Sequence, residues 1–276
     1  QMPAVQNIEA YHAPLLMNDL SRVRLDVSVG VTNATTTNGN WMGLSGAQVT
    51  IGLPDSGLDQ SHSELTGQFF LNGSSPTAAT CPGSVVLDTI GHGTHLAGSM
   101  VAKGVTTPSS IFGSLNGASQ RGIAHGAKVY PLSLYDINYT NYGNFWIVTN
   151  MATATNIHIV NVSWGSAVST YTIDSANMDA WVRDSDPSRT NDQPMTYVVA
   201  AGNNGGANSG GTGGRADSIA APGNAKNVIT VGALEQLRLV ANSTNKVASA
   251  TNDPIAMAHT DSDTQVADYS GRGNVG

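Results

Sequence analysis

Apolar residues cluster along this chain in short runs separated by segments with helical character. Five runs rich in Val, Ile, Leu and Ala predict buried strands: 47–57, 127–136, 157–165, 195–203 and 225–234. Three segments between them predict helices: 91–102, 144–156 and 173–185. Because nearly continuous apolar strands alternate with helices, we expect a doubly wound α/β fold, with helices on both faces of a mostly parallel sheet.

The pattern also predicts how the chain is organised. Residues 1–46 mix polar and apolar positions without a strong period and are interpreted as an N-terminal arm that leads into the domain. Residues 47–276 are interpreted as one continuous α/β unit, without internal repeats. Hydrophobic residues make up 40% of the 276 residues, which is enough for a sizeable core.

Composition and charge exclude several classes of function. Lys and Arg total only 12 and are scattered, and the net charge is −7, so a nucleic-acid partner is not expected. No apolar run approaches the roughly 20 residues that a membrane helix needs. The single cysteine, Cys81, cannot form a disulfide within the chain and lies in a loop-like segment without a catalytic motif.

Candidate chemistry lies where predicted strands end. In such folds ligands bind outside the carboxyl ends of the strands. The first strand ends in Pro54-Asp55-Ser56-Gly57, which places a half-buried carboxylate at this edge. A buried carboxylate is costly unless it is paired. Asp55 is therefore either a turn residue that bonds the nearby backbone or the partner of a catalytic group.

His92 opens a predicted helix between two glycines, which leave room for a close approach to its ring. Three roles compete for it. It could be a satisfied core histidine, or a general base oriented by a carboxylate. It could also bind zinc together with His95, but the usual spacing of four residues with an intervening Glu is missing. His95, one turn deeper in the helix, is expected to be structural.

The strand at 195–203 ends in Ala200-Ala201-Gly202-Asn203. Its small residues allow a ligand or another chain segment to approach closely. The Asn203 side chain is either the first residue of a Gly-rich loop or an N–H donor of the kind that an oxyanion hole uses. The strand at 157–165 similarly ends with Gly165, which leaves its backbone open.

Taken together, these segments resemble the subtilisin-like serine proteases, the subtilases. "DSGLDQSHSEL" (55–65) looks like the aspartate motif, "GHGTHLAG" (91–98) the histidine motif and "AAGN" (200–203) the oxyanion motif. "NVSWG" (161–165), "APGNAKNVITVGA" (221–233) and "VADYSGRG" (266–273) follow in family order. The look is closest to the alkaline, oxidant-tolerant bacterial branch, and residues 47–276 would form the N-terminal and central part of the catalytic domain.

The resemblance implies a secreted endopeptidase that acts on polypeptide substrates. Asp55 would orient His92, His92 would act as general base and then general acid, and Asn203 would donate to the oxyanion. The remaining candidates would bind the substrate: Ser163, Trp164, Gly165, Ala200, Ala201, Gly202 and, from the opposite side of the substrate strand, Tyr142-Gly143-Asn144.

The nucleophile of the family is absent from the sequence. Subtilases carry it in a Gly-Thr-Ser-Met-Ala stretch after the segment that resembles 266–273, and no Gly-Thr-Ser occurs here. The enzyme could be cut, the sequence could simply stop, or the chain could be a non-catalytic binding or regulatory module. We favour a cut enzyme whose serine lies on a complementary C-terminal fragment, because that fragment would also cover the sheet.

The chemistry of such an enzyme requires no cofactor, but the resemblance allows structural calcium. Glu64 aligns with an acidic calcium ligand of some family members, although the segment that would complete the site, 103–121, is different here. The Asp and Asn residues of 252–263 are an alternative. The sequence does not identify the site.

Overall fold

The computed structural model describes the strands of a central sheet and the edge at which these strands end. The described segments are 44–69, 88–105, 120–134, 157–208, 210–235 and 264–273. The single residues 21, 25 and 262 are described as well, and the backbone alone is described at 244–245 and 253–254. Several predicted features lie outside them: the N-terminal arm for the most part, Cys81, the helix at 144–156 and Tyr142-Gly143-Asn144. No helix in the described ranges is long and apolar enough to cross a membrane.

Among the described residues, five parallel strands form the main sheet in the order β2-β1-β3-β4-β5. They are β1 (Thr50–Asp55), β2 (Lys128–Ser133), β3 (Ile157–Val162), β4 (Thr196–Ala200) and β5 (Ile229–Val231). Two helices are described, α1 (His92–Val101) and α2 (Ile173–Trp181). A separate antiparallel ribbon pairs β6 (Thr244–Asn245) with β7 (Asp253–Pro254). The predicted doubly wound α/β fold is confirmed.

One face of the sheet is buried against α2. Register pairs Val160 with Tyr197 and Val162 with Val199, so these side chains point to the same side. They share a core cluster with Met178 and Trp181 of α2. A capping box at Thr172 and Ser175 starts this helix.

Of the described helices, α1 packs on the opposite face and covers one half of it. A second core cluster joins Leu53 of β1 and Val129 of β2 to Ala97 and Val101 of α1. Ile51 belongs to the same side and pairs with Ile159 of β3. The two helices therefore pack on opposite faces, which is the layering that a doubly wound sheet requires.

The other half of the α1 face, over β3, β4 and β5, is apolar and open. Ile159 faces the same side as Ile51, and the register between β4 and β5 places Ile229 and Val231 beside Val198 and Ala200. The side chains remain exposed, at 37% for Ile159, 54% for Ile229 and 50% for Val231. Contiguous apolar exposure of this kind is typical of a surface that another segment or partner covers.

The strands are shorter than the sequence predicts, for identifiable reasons. The run at 225–234 yields only Ile229–Val231: before it the Asp179 carboxylate of α2 accepts the backbone N–H of Asn227 at 2.7 Å, and after it the N–H of Ala233 donates to the hydroxyl of Ser270 at 2.9 Å. The run at 157–165 leaves the sheet after Val162, and the N–H of Ser166 then donates to the carbonyl of Ala221. Residues 163–165 are thus free to form a wall of a pocket.

Candidate active site

Asp55 is the last residue of β1, at the carboxyl edge of the sheet, and its exposure is only 3%. Its Oδ1 lies 2.7 Å from Nδ1 of His92 and also accepts the N–H of Ser56 at 2.8 Å. One oxygen of Asp55 therefore makes both of the bonds that the sequence suggested: one to the nearby backbone and one to a histidine. Pairing with the imidazole offsets the cost of burying this carboxylate.

His92 is the first residue of α1 and is half exposed, at 52% of its side chain. The hydrogen bond to Asp55 raises the pKa of this imidazole, although its partial burial opposes the effect. Because the carboxylate can only accept, Nδ1 carries the proton and neutral His92 has its lone pair on Nε2. Within the part of the chain that the structure describes, Asp55 is the one hydrogen-bond partner of this ring. The arrangement is that of a general base oriented by a carboxylate.

The backbone itself requires glycine on both sides of His92. A Cβ on Gly93 would lie 2.2 Å from the carbonyl oxygen of Gly57, so this glycine lets the turn after β1 press against α1. Gly91 has φ +91°, a left-handed conformation that favours glycine at the start of this helix. The expectation that the glycines leave room beside the ring is corrected for Gly93, because the turn after β1 fills the space beside it.

Asp88 is a site residue that the sequence reasoning missed. Its Oδ1 accepts the hydroxyl of Ser56 at 2.8 Å and the N–H of Gly91 at 2.7 Å, and its Oδ2 accepts the N–H of Thr94 at 2.8 Å. These bonds lower the pKa of this carboxyl despite its partial burial. An Asp shortly before a predicted helix was the available signal, because such residues commonly satisfy the free N–H groups of a helix start.

A cavity of about 280 Å³ opens at the ends of β3 and β4. Its described lining contains six of the predicted residues, Ser163, Trp164, Gly165, Ala200, Gly202 and Asn203, and four more, Ser166, Ala167, Asn204 and Ala220. None of these side chains is charged. Ala201 does not belong to the lining; it is buried behind the cavity, where its carbonyl accepts the N–H of Ala220. The contact of Ala201 with substrate stays a prediction.

Two glycines set the shape of this cavity. A Cβ on Gly165 would lie 2.7 Å from the carbonyl oxygen of Ala221, and one on Gly202 would lie 2.5 Å from the Cβ of Ala220. The two walls therefore pack closely against the 220–221 segment. Asn203 is exposed at the cavity, and Asn204 donates across it to the carbonyl of Ala167 at 3.4 Å.

The cavity and the Asp55–His92 pair lie at the same edge of the sheet. Asp55 ends β1, and 163–165 and 200–203 follow the ends of β3 and β4, which lie next in the sheet order. The indole N–H of Trp164 also donates to the carbonyl of Pro54 at 3.0 Å. This bond joins the cavity wall directly to the strand that carries Asp55.

Glu64, the residue considered for calcium, is used for hydrogen bonding. It is 2% exposed, and its Oε2 accepts the N–H groups of Gly104 at 2.6 Å and Val105 at 3.1 Å. An oxygen that faces two N–H groups is poorly placed to bind a cation. Among the described residues, no group of three His, Cys, Asp or Glu side chains is arranged to hold a metal. His92 and His95 thus have no third partner of this kind within those ranges.

The chain matches a known protein family over most of its length. Residues 46–276 match the sequence profile described as the subtilase family. The extracellular serine proteinase of Thermus sp. (strain Rt41A) is 30% identical over 163 residues, covering 58% of this chain and 32% of that protein. Subtilisin DY of Bacillus licheniformis is 27% identical over 199 residues, covering 70% and 59% respectively. Fervidolysin of Fervidobacterium pennivorans is 26% identical over 185 residues, covering 64% of this chain and 23% of that protein.

Solved structures agree on the fold. The S41 psychrophilic protease superposes with a TM-score of 0.51 at 24% identity, over 83% of this chain and 60% of that one. The protease domain of PatA superposes with a TM-score of 0.52 at 18% identity, over 85% and 66% respectively. The chain spans between about a quarter and three fifths of the length of the curated relatives that it matches.

Proposed function

Because residues 46–276 match its profile, the chain belongs to the subtilase family, and we propose that it forms the part of a secreted serine endopeptidase that carries Asp55, His92 and Asn203. The observation that carries the proposal is the 2.7 Å bond between Asp55 and His92 beside an uncharged cavity. That bond fixes the tautomer in which Nε2 of His92 can take a proton.

The proposed reaction begins at a serine hydroxyl supplied from outside this sequence. Its Oγ would attack the carbonyl carbon of the scissile peptide bond while its proton passes to Nε2 of His92. The new imidazolium is stabilised by the Asp55 carboxylate. The amide of Asn203 would donate to the oxygen that becomes negative. The C–N bond then breaks as His92 returns the proton to the leaving amine, and a water molecule hydrolyses the acyl-enzyme by the same steps in reverse.

Substrate would bind at the uncharged cavity. The backbone of 163–165 lies outside the sheet ladder beyond Val162, so its groups are placed to pair with an extended peptide. The cavity would accept one substrate side chain, and its uncharged lining favours an apolar one over a charged one, because a charge would be desolvated there without a partner. Its small wall residues leave room for a large side chain.

The open half of the α1 face supports a serine-bearing partner. Ile159, Ile229 and Val231 are exposed on the sheet face that carries α1, whose first residue is His92. A helix packed on this half-face would lie next to α1 and would bring one end to the same edge of the sheet as the His92 ring. We therefore propose that a complementary C-terminal fragment covers this surface and places its serine within hydrogen-bonding distance of Nε2, roughly 2.6–3.2 Å.

Two observations bear on localisation. The relative from Thermus is named an extracellular proteinase, and no helix of the described ranges could span a membrane. We propose secretion on the first of these. Fractionation of the natural source should find this protein in the medium, and retention inside the cell would contradict the proposal.

A fluorophosphonate probe, which reacts only with activated serines, tests the central proposal. The protein is purified from its natural source without denaturation, labelled, and analysed by mass spectrometry. The label is expected on a polypeptide segment outside residues 1–276 that co-purifies with them. We call this complete assembly the assembled enzyme. Labelling of a serine within 1–276 would overturn the assignment of the nucleophile.

The matched control is the same experiment with His92→Ala, which should retain the partner segment and lose the label. If residues 1–276 are instead found folded, monomeric and unlabelled in the natural source, the endopeptidase proposal fails. That result would favour a non-catalytic binding or regulatory module on a subtilase fold.

A further inference from the structure

Asp88 lies between the two segments that carry Asp55 and His92. Its carboxylate accepts from groups on both sides of the site. On Oδ1 these are the hydroxyl of Ser56 at 2.8 Å and the N–H groups of Ile90 at 3.1 Å and Gly91 at 2.7 Å. On Oδ2 they are the N–H of Thr94 at 2.8 Å and its hydroxyl at 2.6 Å. Both oxygens are thus engaged.

The two hydroxyls act as directional connectors. The Oγ of Ser56 accepts the N–H of Gly93 at 2.8 Å, so its own hydrogen is directed to Asp88. The Oγ1 of Thr94 accepts the N–H of Asp59 at 2.9 Å and likewise donates to Asp88. Ser56 follows Asp55 directly, and Gly93 follows His92. Each connector therefore joins the turn after β1 to the first turn of α1.

The negative charge of Asp88 is also favourable at this position. The N–H groups of Gly91 and Thr94 belong to the start of α1, where the helix dipole favours an anion. The hydrogen bonds lower the pKa of Asp88, so it stays ionised at neutral pH. The negative charge of Asp88 also contributes to the raised pKa of His92, after the larger effect of Asp55.

We propose that Asp88 is a positioning residue of the active site, which holds the turn carrying Asp55 and the helix start carrying His92 at the separation that their hydrogen bond needs. This inference rests on the proposed function. Asp88 touches neither substrate nor reacting atoms; it acts through Ser56 and Thr94. The contact between Gly93 and Gly57 sets how closely the two segments can approach, and Asp88 keeps them together.

The test is Asp88→Asn, which keeps the shape of the side chain. An amide has only one accepting oxygen, so its NH₂ must face either the Oδ1 donors or the Oδ2 donors. NMR titration of the His92 ring in the assembled enzyme is expected to show a titration midpoint below that of the wild type. In the assembled enzyme, turnover should fall by up to about 100-fold, the loss that a misplacement of about 1 Å causes, with little change in KM.

Matched variants separate positioning from general stability. Asp174→Asn removes the same charge from the first turn of α2 and should leave the His92 midpoint and turnover unchanged. Thr94→Val removes one connector and should reproduce part of the Asp88→Asn effect, whereas Thr94→Ser keeps the hydroxyl and should restore the wild-type pH profile. Thermal unfolding of each variant shows whether it is folded under the assay conditions.

The results that would refute the role of Asp88 differ from those that would refute the proposed function. An unchanged His92 midpoint in folded Asp88→Asn would overturn the positioning role, whatever the activity. Turnover loss that only follows the unfolded fraction would overturn it as well. If the assembled enzyme hydrolyses no peptide even as wild type, the proposed function fails, but the titration still tests Asp88.

Discussion

The indole N–H of Trp164 donates to the carbonyl oxygen of Pro54 at 3.0 Å, across 110 positions of sequence. Trp164 lies in the wall of the cavity, and Pro54 precedes Asp55 in β1. The surface that would bind the substrate is therefore fixed to the strand that orients the histidine. A shift of the wall would also shift the substrate carbonyl relative to His92.

Trp164→Phe removes this bond and keeps most of the ring. We expect a stability loss of about 1 kcal/mol, typical for one hydrogen bond, together with a higher KM because the wall is less well fixed. Denaturant unfolding and steady-state kinetics of the assembled enzyme measure both quantities. Tyr171→Phe is the control, since it removes a single bond to Asp179 away from the cavity. Equal KM values for the two variants would contradict the role of Trp164.

Sequence patterns located the site because the parallel sheet collects strand ends at one edge. Asp55 follows a predicted strand, His92 starts a predicted helix, and Asn203 follows another strand, so the fold alone brings them to the same edge. The structure places Asp55 and His92 in contact and puts Asn203 at the cavity. The strands themselves were predicted from apolar runs, which respond directly to burial on both faces.

The features that the sequence did not reveal depend on bonds between distant side chains and backbone groups. Asp88 and Ser56 are 32 positions apart, and the pattern of apolar and polar residues does not predict their contact. Before β5, the Asp179 carboxylate likewise accepts the N–H of Asn227, which lies 48 positions away in the sequence. Gly93 was predicted to leave room for a close approach to the His92 ring, but in the folded chain the carbonyl oxygen of Gly57 occupies the space beside it.

The raised pKa of His92 makes one part of the stability depend on pH. Because the folded pKa lies above the ordinary value of 6.5, the stabilisation is fully present below that value and is lost as the pH rises through the folded pKa. His92→Gln should therefore destabilise the chain more at about pH 5 than at about pH 8. Thermal unfolding of both proteins at the two pH values measures this. If the stability difference between the wild type and His92→Gln did not vary with pH, it would contradict a charged pair of His92 and Asp55.

Gly93→Ala should destabilise the contact between the turn after β1 and α1. The added Cβ would lie 2.2 Å from the carbonyl oxygen of Gly57, so one of the two backbone segments must move. We expect a loss of about 1–3 kcal/mol in the free energy of unfolding. Gly210→Ala is the control, because its Cβ would meet only the side chain of Asn208 at 3.5 Å. Similar losses in both variants would show that the close approach is not the cause.

Ala200→Val should narrow the cavity. Ala200 is the last residue of β4, where a β-branched side chain suits the strand, and it belongs to the lining. We expect kcat/KM for substrates with a large apolar side chain at this position to fall by about 10- to 100-fold, typical for an excluded methylene or two. Substrates with alanine there serve as the control and should be little affected. An equal loss for both substrates would show that the side chain binds elsewhere.

Asn203→Leu tests the oxyanion donor. The side chain is exposed at the cavity, at the edge of the sheet where the substrate carbonyl would lie, and its amide N–H would strengthen its bond only as the oxygen becomes negative. Leucine has a similar volume and no donor. We expect turnover of the assembled enzyme to fall by about 10²–10³-fold with little change in KM, as is typical when one oxyanion donor is removed.

Asn204→Leu is the control variant. It makes the same change one residue later, where the amide donates to the carbonyl of Ala167 and links the two cavity walls, so it should change KM or side-chain preference more than turnover. Steady-state kinetics with one peptide substrate compare the two. If Asn203→Leu instead weakens binding and leaves turnover intact, Asn203 is a residue of the turn and the oxyanion donor must be sought elsewhere.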